Sequence, residues 1–520
     1  MNKYFYNLGQ LFNHIATIYK TNIALRFLED KVVLYSELET LSNKIAHFLL
    51  AKKVKQGDIV AIFNEKSDLA YAAMLACLKI GAIYTNLDQN SPVERLRKMI
   101  GLCKPVIFFS PEISYNLLKE CHYSSTKLVL YTSPAFKESL ADFSASYPQI
   151  NMGVAGNTPA YLMFTSGSTG FPKGVIISHS AVLNFIQWTK TTYNTTDKDV
   201  FTNINPMHFD NSVFDFYASL FTGAGLVPVP ESLSRNPRKL LDALNHIKPT
   251  IWFGVPSMFV YVLTMRALKD SDLPDLRIVS FGGEGFPKNQ LRNLWIILGK
   301  RVQFINVYGP TECTCICTSY VISDEDMNID ELLPLGPMAP NFGFLIIDSK
   351  GKQVKDGEIG ELIITGPNVG LGYYNNPEKT KEVFVQHLQN KNFKEIVYKS
   401  GDMVRYSKLE NLLYFCGRKD NQIKRMGYRI ELEEIENALG SLNYIEENGV
   451  IFHRSENDNG KLIACVCSKI NDENKILNDL VKYIPLYMIP DYFRFYDHLP
   501  KNQNGKIDRL KLKEDYLNEK

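Results

Sequence analysis

Short apolar runs alternate with amphipathic stretches along the first half of the chain. Residues 58–64, 105–110 and 127–131 are apolar runs of strand length, which is typical of buried strands. Between the first two runs, residues 67–80 repeat apolar side chains at helical spacing, and Gly81 follows as a natural helix stop. This alternation of strands and helices predicts wound α/β layers.

The same alternation continues further along the chain. Residues 160–164 form an apolar run of strand length. A helix is predicted over residues 237–246, because Pro237 stands in the first turn, where a helix tolerates proline. The apolar run 250–255 that follows is typical of a strand.

The C-terminal part of the chain has a pattern of its own. The pattern predicts a helix that ends before Gly440, then two strands and a second helix, over residues 431–439, 449–453, 461–467 and 477–483. About a hundred residues with this pattern are enough for a small α+β domain. The charged segment 417–427 before it is a candidate hinge or a solvated surface loop. We therefore predict two domains, over residues 1–419 and 420–520.

Charge and composition narrow the class of protein. The 520 residues include 58 Lys+Arg and 56 Asp+Glu, so the formal net charge is +2, which gives no support for a nucleic-acid partner. No apolar run reaches the ~18 residues that a membrane span needs. The N-terminus lacks the apolar core of a signal peptide. These features predict a cytoplasmic protein.

The cysteines are interpreted as reduced thiols. Nine cysteines, an odd number, are spread over a long chain, which disfavours a disulfide framework. Cys313, Cys315 and Cys317 stand at alternate positions, which favours one face of an extended segment. A zinc site would need a fourth ligand, and no other His or Cys is close in sequence, so a metal site there is disfavoured.

A loop rich in small residues carries the first chemical signal. Residues 165–174 (TSGSTGFPKG) follow an apolar strand-like run. Small residues let backbone N–H groups approach an anion, hydroxyls add donors, and Lys173 adds positive charge. The P-loop pattern is absent, since Gly174 follows the lysine. The loop on its own fits a phosphate site or a flexible turn.

This loop resembles the signature of the adenylate-forming superfamily, which comprises acyl-CoA synthetases, luciferases and amino-acid adenylation domains. Further matches follow in that family's order, over 306–312 (NVYGPTE), 360–361, 370–373 (GLGY), 400–402 with Arg405, 417–420 (GRKD), 427–431 (GYRIE) and 504–509 (NGKIDR). The resemblance runs from about residue 10 to 512. It implies a large N-terminal domain of layered α/β subdomains and a small, mobile α+β C-terminal domain.

The resemblance also implies an ATP site. Its residues would be Thr165, Ser166, Gly167, Ser168, Thr169, Gly170, Lys173, Gly283, Glu284, Asn306, Val307, Tyr308, Gly309, Thr311, Asp402, Phe415, Arg418 and Lys506. The Tyr308 ring can lie against adenine, the Asn306 amide suits the adenine edge, and Asp402 can accept from ribose hydroxyls. Lys506, Thr311 and Glu312 are the implied catalytic residues, with Glu312 as a hard oxygen ligand for Mg²⁺.

The residues alone leave other roles open. Tyr308 and Phe415 could be core aromatic residues, and Asp402 could stabilise a turn. Arg418 could form a surface salt bridge, and Lys506 could be a solvated lysine near the chain end. The resemblance favours the lysine as a bridge between the attacking carboxylate and the α-phosphate, two anions that must meet.

Asp210 separates the branches of the family. It precedes the helical stretch 213–220, where its alternative role is a helix N-cap. The resemblance implies instead that Asp210 pairs with the α-ammonium of an amino acid, a cation that fatty-acyl and aryl substrates lack. The implied side-chain pocket consists of Asn211, Phe214, Phe253, Ser280, Gly282, Val307, Cys315 and Ile316. Its mostly apolar lining resembles pockets for valine- or isoleucine-like amino acids.

The sequence thus predicts an ATP-dependent ligase that forms aminoacyl-AMP and loads a carrier protein's phosphopantetheine thiol. No carrier domain follows Lys506, so the carrier is predicted to act in trans. Similar stand-alone D-alanine–carrier protein ligases are an alternative, although their pocket usually has a cysteine near Gly282. An acid–CoA ligase and an inactive nucleotide-binding module are further alternatives. Since two reactions share one site, the C-terminal domain is predicted to rotate about Asp420.

Overall fold

The structure is a computed structural model that describes residues 4–124, 127–149, 153–167, 171–390, 392–454, 460–501 and 507–518. The strands in chain order are β1 Ile23–Arg26, β2 Val32–Leu34, β3 Ile59–Phe63, β4 Ile83–Leu87, β5 Ile107–Ser110, β6 Leu128–Leu130, β7 Pro159–Thr165, β8 Lys173–Ser178, β9 Val200–Asn203, β10 Gly225–Pro228, β11 Ile251–Gly254, β12 Ile278–Gly282, β13 Gln303–Tyr308, β14 Thr318–Val321, β15 Gly343–Ile347, β16 Gly360–Thr365, β17 Gly372–Tyr373, β18 Phe384–Gln386, β19 Ile396–Ser407, β20 Leu412–Arg418, β21 Gln422–Arg425, β22 Tyr428–Glu431, β23 Ile445–His453, β24 Lys461–Ser468 and β25 Tyr492–Phe495.

The helices in chain order are α1 Leu8–Ile18, α2 Tyr35–Ala51, α3 Asp68–Ile80, α4 Val93–Cys103, α5 Tyr115–Glu120, α6 Pro134–Ser139, α7 His179–Thr192, α8 Asn211–Leu220, α9 Glu231–Ser234, α10 Pro237–Ile247, α11 Pro256–Thr264, α12 Lys288–Leu298, α13 Pro377–Val383, α14 Leu432–Gly440, α15 Glu473–Leu480 and α16 Arg509–Asn518.

Two large, mostly parallel sheets form the body of the molecule. One has the strand order β17-β8-β7-β4-β3-β5-β6, and the other has the order β14-β13-β12-β11-β9-β10-β1-β2. The central strands of both are parallel, and antiparallel pairs occur towards the edges. A third, antiparallel sheet contains β15, β16, β18, β19 and β20. The layered α/β fold expected for the N-terminal domain is therefore confirmed.

Helix α3 shows how the sequence builds this body. Ser67 caps its start by accepting a hydrogen bond from the Ala70 N–H, and Gly81 ends it with a left-handed φ of 74°. Every residue of the helix after Asp68 is buried. The helix packs against α1 and α2, and its side chains belong to one continuous core that reaches both large sheets.

The C-terminal part of the chain forms a small α+β unit. Strands β23, β24 and β25 make a three-stranded sheet, and α14 packs its buried face, which includes Ile435 and Leu439, against it. The β21–β22 hairpin precedes this sheet. A small C-terminal α+β domain is thus confirmed, whereas the boundary at residue 420 stays a prediction.

Most of the predicted elements are present, with shifted ends. Gly440 is the last residue of α14 rather than the residue after it, and α15 begins four residues before the predicted position 477. The prediction that the three cysteines lie on one face of an extended segment is wrong. Cys313 ends a 3₁₀ turn, and Thr314 and Cys315 have positive φ angles of 61° and 74°. The three thiols are nevertheless buried.

None of the helices within the described ranges combines the length and the apolar character needed to cross a bilayer. The same ranges contain no group of three or more His, Cys, Asp or Glu side chains arranged to hold a metal ion.

Candidate active site

A central pocket lies where the body meets the C-terminal part of the chain. Phe253, Gly282 and Val307 stand at the C-terminal ends of the parallel strands β11, β12 and β13, the edge at which open α/β sheets bind ligands. Fourteen predicted site residues line the pocket: Thr165, Ser166, Asp210, Asn211, Phe253, Gly282, Gly283, Val307, Gly309, Thr311, Cys315, Ile316, Asp402 and Arg418. The structure therefore brings together residues that are up to about 250 positions apart in sequence.

Asp210 faces this pocket from the start of α8. Its carboxylate forms no capping hydrogen bond to the helix, so the N-cap alternative is wrong for its side chain. Instead, Oδ2 accepts a 2.6 Å hydrogen bond from the Thr311 hydroxyl. Burial raises the pKa of Asp210, although the bond from Thr311 opposes that shift. A ligand cation in the pocket would offset the cost of burying the negative charge and favour the ionised form of Asp210.

The wall next to Asp210 is apolar. Phe253, Val307 and Ile316 supply it, together with the buried thiol of Cys315. A Cβ on Gly282 would lie 2.4 Å from the Val307 carbonyl oxygen, so this position has no room for a side chain unless the sheet shifts.

Two residues predicted for this wall lie behind it. The Ser280 hydroxyl is fully buried between the Tyr193 hydroxyl at 2.8 Å and the Ile305 carbonyl at 3.2 Å. Phe214 is also fully buried and packs against the Phe253 ring at 4.9 Å. Both support the pocket without lining it, since α8 and β12 direct these side chains into the core.

A second polar cluster in the pocket lining centres on Asp402 of β19. The Tyr308 hydroxyl donates to Asp402 Oδ2 at 2.5 Å, and Arg418 Nη1 donates to Oδ1 at 2.8 Å. Arg418 also binds both carboxylate oxygens of Asp420, at 2.8 and 2.5 Å. Arg418 is thus a partly buried bridge between a buried carboxylate and a half-exposed one. Tyr308 is buried in the hydrophobic core and does not line the pocket, and its hydroxyl bonds directly to the predicted ribose ligand.

The β21–β22 hairpin contacts the residues predicted to bind phosphate and metal. Arg429 donates to Glu312 Oε2 at 2.6 Å, and the Tyr373 hydroxyl donates to Glu312 Oε1 at 2.7 Å. Lys173 Nζ donates to Glu431 Oε1 at 3.3 Å. Burial alone would raise the pKa of Glu312, but Arg429 and Lys173 outweigh it and lower the pKa to about 2. The C-terminal unit therefore supplies counter-charges to the predicted phosphate and metal residues.

The same contact continues along the helices behind the hairpin. Arg95 of α4 forms a buried ion pair with Glu434 of α14. The Gly167 N–H donates to Glu434 Oε2 at 3.3 Å, and the Ser166 hydroxyl donates to the Arg429 carbonyl at 2.8 Å. The described part of the predicted phosphate loop is thus bound by the C-terminal unit.

The hairpin turn fits closely against the body. Met426 and Gly427 both have positive φ, 51° and 79°, as in the two-residue turns that favour hairpins. A Cβ on Gly427 would lie 2.5 Å from the Val255 Cγ1 atom. Only glycine lets the turn approach the pocket rim this closely.

Comparison with known proteins settles the family. The AMP-binding enzyme family matches residues 12–374. The chain belongs to the AMP-binding enzyme family. It is 33% identical, over 94% of its length and 95% of the relative, to the D-alanine–D-alanyl carrier protein ligase of Bacillus licheniformis. It is also 33% identical, over 93% of its length and 94% of the relative, to the L-proline–[L-prolyl-carrier protein] ligase of Pseudomonas fluorescens.

A solved structure shows the same fold. The Vibrio cholerae adenylation domain AlmE, in complex with glycyl-adenosine-5'-phosphate, has a TM-score of 0.83 to this AMP-binding enzyme. The match covers 100% of this chain and 99% of that chain at 22% identity. At that identity the likeness establishes the fold of both the body and the C-terminal unit.

Some predicted site residues of this AMP-binding enzyme lie away from the pocket surface. The Asn306 amide donates to the Pro334 carbonyl at 2.7 Å, so one of its two N–H donors is already engaged. Glu284 accepts from the Ser257 N–H at 2.8 Å at the start of α11. Phe415 is 39% exposed, which excludes a core role. Ser168, Thr169, Gly170 and Lys506 lie outside the described residues.

The described neighbours of Lys506 contact the far part of the C-terminal unit. Lys501 Nζ binds Glu447 of β23 at 2.6 Å. Ile507 packs in the cluster that contains Ile451 and Ile463 of β23 and β24. Neither Lys501 nor Ile507 lines the pocket.

Sequence reasoning missed several pocket residues of this AMP-binding enzyme. They are Arg95, Met163, Phe164, Phe209, Pro310, Ser400, Gln422, Lys424, Gly427, Arg429 and Tyr487. Four of them, Gln422, Lys424, Gly427 and Arg429, belong to the charged segment and hairpin that were interpreted as a hinge or a matched motif only. The sequence did contain a signal that could have identified these four residues. The segment carries positive charge, which suits a phosphate-binding pocket, and its two-residue turn ending in glycine predicts a hairpin.

Proposed function

We propose that this chain is an ATP-dependent, AMP-forming amino acid–carrier protein ligase. It activates an amino acid as aminoacyl-AMP and transfers the aminoacyl group to a carrier thiol. The observation that carries the proposal is that Asp210 and Asp402 line one pocket. Asp210 suits an ammonium group and Asp402 suits ribose hydroxyls, which are the two ends of an aminoacyl adenylate. The D-alanyl and prolyl carrier ligases that resemble this chain support the same activity.

In the first step a carboxylate oxygen of the amino acid attacks the α-phosphorus of ATP. The bond between the α- and β-phosphates breaks, and pyrophosphate leaves with the electron pair. The substrate carboxylate is already ionised, so no general base is required. Lys506 would stabilise the charge that develops between the two anions, while the Thr165 hydroxyl, which has no hydrogen-bond partner among the described residues, can donate to a phosphate oxygen. The Thr311 hydroxyl donates to Asp210 in this arrangement and could donate to phosphate only after that bond breaks.

The residues present fit a Mg²⁺ ion beside the phosphates. Glu312 is a buried carboxylate held fully ionised, and one or two carboxylates plus phosphate oxygens are the usual magnesium ligands. When bound, the ion would neutralise phosphate charge. Both Glu312 oxygens contact Tyr373 or Arg429 in this arrangement, so Arg429 must leave before Glu312 can serve as a ligand.

The two steps then require two arrangements of the C-terminal unit. In the arrangement seen here, Arg429 pairs with Glu312 and Glu431 pairs with Lys173, the residues that would bind Mg²⁺ and phosphate. The described neighbours of Lys506 lie outside the pocket. This arrangement suits the transfer step, after pyrophosphate has left. Rotation about Asp420 would exchange the hairpin for Lys506.

Arg429→Ala is expected to slow transfer to the carrier at least tenfold and to preserve ATP–pyrophosphate exchange. Removing one partner of a buried ion pair typically costs about 3–5 kcal/mol. Because Arg429 pairs with Glu312 when the hairpin is inserted, its loss should destabilise that arrangement, which we assign to transfer. Single-turnover transfer from purified aminoacyl-AMP, compared with the exchange rate, measures the split. Arg429→Lys should restore part of the transfer rate. Equal loss in both assays would contradict an arrangement-specific role.

Asp420→Pro is expected to retain most ATP–pyrophosphate exchange and to lose most carrier loading. Proline fixes φ near roughly −65° and restricts the preceding Lys419, so the segment between β20 and β21 could no longer change conformation. Asp420→Ala is the matched control, because it also removes the contact with Arg418 but leaves the backbone free to rotate. Normal loading by the proline variant would place the hinge elsewhere.

The apolar wall favours a small or branched aliphatic amino acid. Phe253, Val307 and Ile316 offer no partner for a charged side chain. D-Alanine remains the alternative, supported by the D-alanyl carrier ligases among the relatives. The lack of room for a side chain at Gly282 distinguishes this pocket from those with a cysteine near that position.

ATP–pyrophosphate exchange across the twenty amino acids and D-alanine tests the proposal. We expect exchange with valine-, isoleucine- or similarly sized aliphatic amino acids and none with the corresponding acids that lack an amine. Loading is then followed on a phosphopantetheinylated carrier protein and on free CoA. Exchange with amine-free acids together with transfer to CoA would support an acid–CoA ligase instead.

A further inference from the structure

Lys66 carries a buried ammonium group that connects the two large sheets. The residue follows β3 of one sheet and is 7% exposed. Its Nζ atom donates to the backbone carbonyls of Asn203 at 2.7 Å, Ile204 at 3.0 Å and Val229 at 2.8 Å. These carbonyls lie at the end of β9 and directly after β10 in the other sheet. All three partners are therefore neutral main-chain oxygens at neighbouring strand ends.

Three converging carbonyls are the kind of surroundings that replace the hydration shell of a monovalent cation. A lysine ammonium has three N–H donors, and the three hydrogen bonds of Lys66 use all of them. Burial lowers the pKa of Lys66 to about 7, and the attraction of Asp215 and Glu231 opposes that shift. Since a neutral amine has only two N–H bonds, the three contacts fit the charged form. The side chain thus supplies a tethered cation to this site.

The strand end that receives this cation also contacts the amino-acid pocket. Asn203 Nδ2 and Asn205 Nδ2 donate to Oδ2 of the fully buried Asp215, at 2.9 and 3.0 Å. Asn205 Nδ2 also donates to the carbonyl of Phe253, a wall residue, at 3.1 Å. Asp215 belongs to α8, which begins directly after Asp210. The end of β9 therefore holds both the helix that presents Asp210 and one part of the apolar wall.

We propose that Lys66 is a positioning residue for the amino-acid pocket, whose ammonium occupies a monovalent-cation site formed by the three carbonyls. Its effect on substrate rests on the proposed ligase function. If the side chain is removed, the site should accept a free ammonium or potassium ion. Such an ion can enter, because Lys66 lines an outer cavity of about 440 Å³ that is also lined by the exposed residues Asn90 and Arg235.

Lys66→Ala tests this proposal, because alanine removes the cation and leaves space for another. Misplacing a site by about 1 Å can cost 10²-fold, so we expect the amino-acid KM in ATP–pyrophosphate exchange to rise by about 10- to 100-fold. The KM for ATP and the rate at saturating amino acid should stay nearly unchanged. Ammonium or potassium chloride should restore most of the amino-acid affinity. Tetramethylammonium chloride at the same ionic strength should not, because its cation is too large for the site.

Two variants show whether the added cation acts at this site. Lys66→Met keeps most of the side-chain length without the charge, so it should raise the amino-acid KM and show no rescue by ammonium. Asn205→Ala keeps Lys66 and removes the side-chain bonds to Asp215 and Phe253. It should also raise the amino-acid KM without a response to ammonium.

Lys79 provides a matched control for loss of a buried lysine. It is 1% exposed, and its Nζ atom binds Glu39, Ser42 and Asn43 at 2.7, 2.6 and 2.7 Å, all on α2. It does not line the central pocket. Lys79→Ala should lower the thermal midpoint and leave the amino-acid KM unchanged.

Thermal midpoints of Lys66→Ala give a readout that does not depend on activity. The midpoint should rise with ammonium or potassium and not with tetramethylammonium. A variant that folds only in ammonium or potassium would support the site, whereas failure to fold in every salt would overturn it. An unchanged amino-acid KM, equal rescue of Lys66→Met, or an equal KM rise in Lys79→Ala would also overturn the proposal. Absence of exchange in the unmodified enzyme with every amino acid would instead reject the ligase function, and the midpoints would still report on the cation site.

Discussion

Replacing Asp210 by alanine is expected to raise the amino-acid KM by about two to three orders of magnitude and to leave the KM for ATP nearly unchanged. Losing one partner of a buried charge pair typically costs about 3–5 kcal/mol, and each 1.4 kcal/mol is tenfold in affinity. Asp210 has Thr311 as a hydrogen-bond donor at 2.6 Å, so the site keeps a polar neighbour but loses its anion. ATP–pyrophosphate exchange at varied amino-acid concentration measures the effect.

The matched control for this prediction is Asp210→Asn. The amide oxygen can still accept from Thr311, so this variant keeps the local geometry and removes only the charge. Because burial raises the pKa of Asp210, the unmodified enzyme should lose amino-acid affinity as pH falls, starting above the usual titration range of an aspartate. That loss should disappear in Asp210→Asn. Normal affinity in either variant would remove the main support for an amino-acid substrate.

Lys506→Ala is expected to reduce adenylate formation by about 10³-fold or more and to leave transfer from pre-formed aminoacyl-AMP within a few fold. The reason is the charge that develops when the substrate carboxylate meets the α-phosphate, which a lysine can bridge only in the first step. Exchange measures the first step, and single-turnover carrier loading measures the second.

Lys501→Ala provides the comparison on the same segment. Lys501 pairs with Glu447 at 2.6 Å and does not line the pocket, so its loss removes a positive charge close in sequence without touching the proposed chemistry. We expect both rates to stay close to normal. If Lys506→Ala damages both half-reactions equally, Lys506 does not act in the first step alone.

Local patterns predicted the elements of the body well. Helix α3 has an apolar repeat at helical spacing, with Ser67 as its N-cap and Gly81 at its C-terminal end. The sequence therefore contains the signals for both ends of this helix. The parallel strands β11, β12 and β13 are fully or mostly buried, which is why short apolar runs identified β11. The cysteine segment failed because two successive positive φ angles, at Thr314 and Cys315, have no marker such as glycine.

The site was predicted only in part, for a different physical reason. Asp210 and Thr311 are 101 residues apart, and motif order alone places each of them near the ligand. Ser280 and Phe214 were assigned to the wall because position along a strand or helix does not fix which side chain reaches a cavity surface. The pairs of Arg429 with Glu312 and of Glu431 with Lys173 depend on how two units meet, which no local pattern specifies.

The turn at Gly427 sets how close the two units can come. Its missing side chain leaves space for Val255, since even one methyl group would lie 2.5 Å from the Cγ1 atom. Larger side chains at position 427 would therefore push the hairpin away from Val255 by increasing distances. Each would destabilise the arrangement proposed for transfer without changing Asp210 or Asp402. We therefore expect larger residues at position 427 to slow transfer to the carrier in graded steps and to preserve ATP–pyrophosphate exchange.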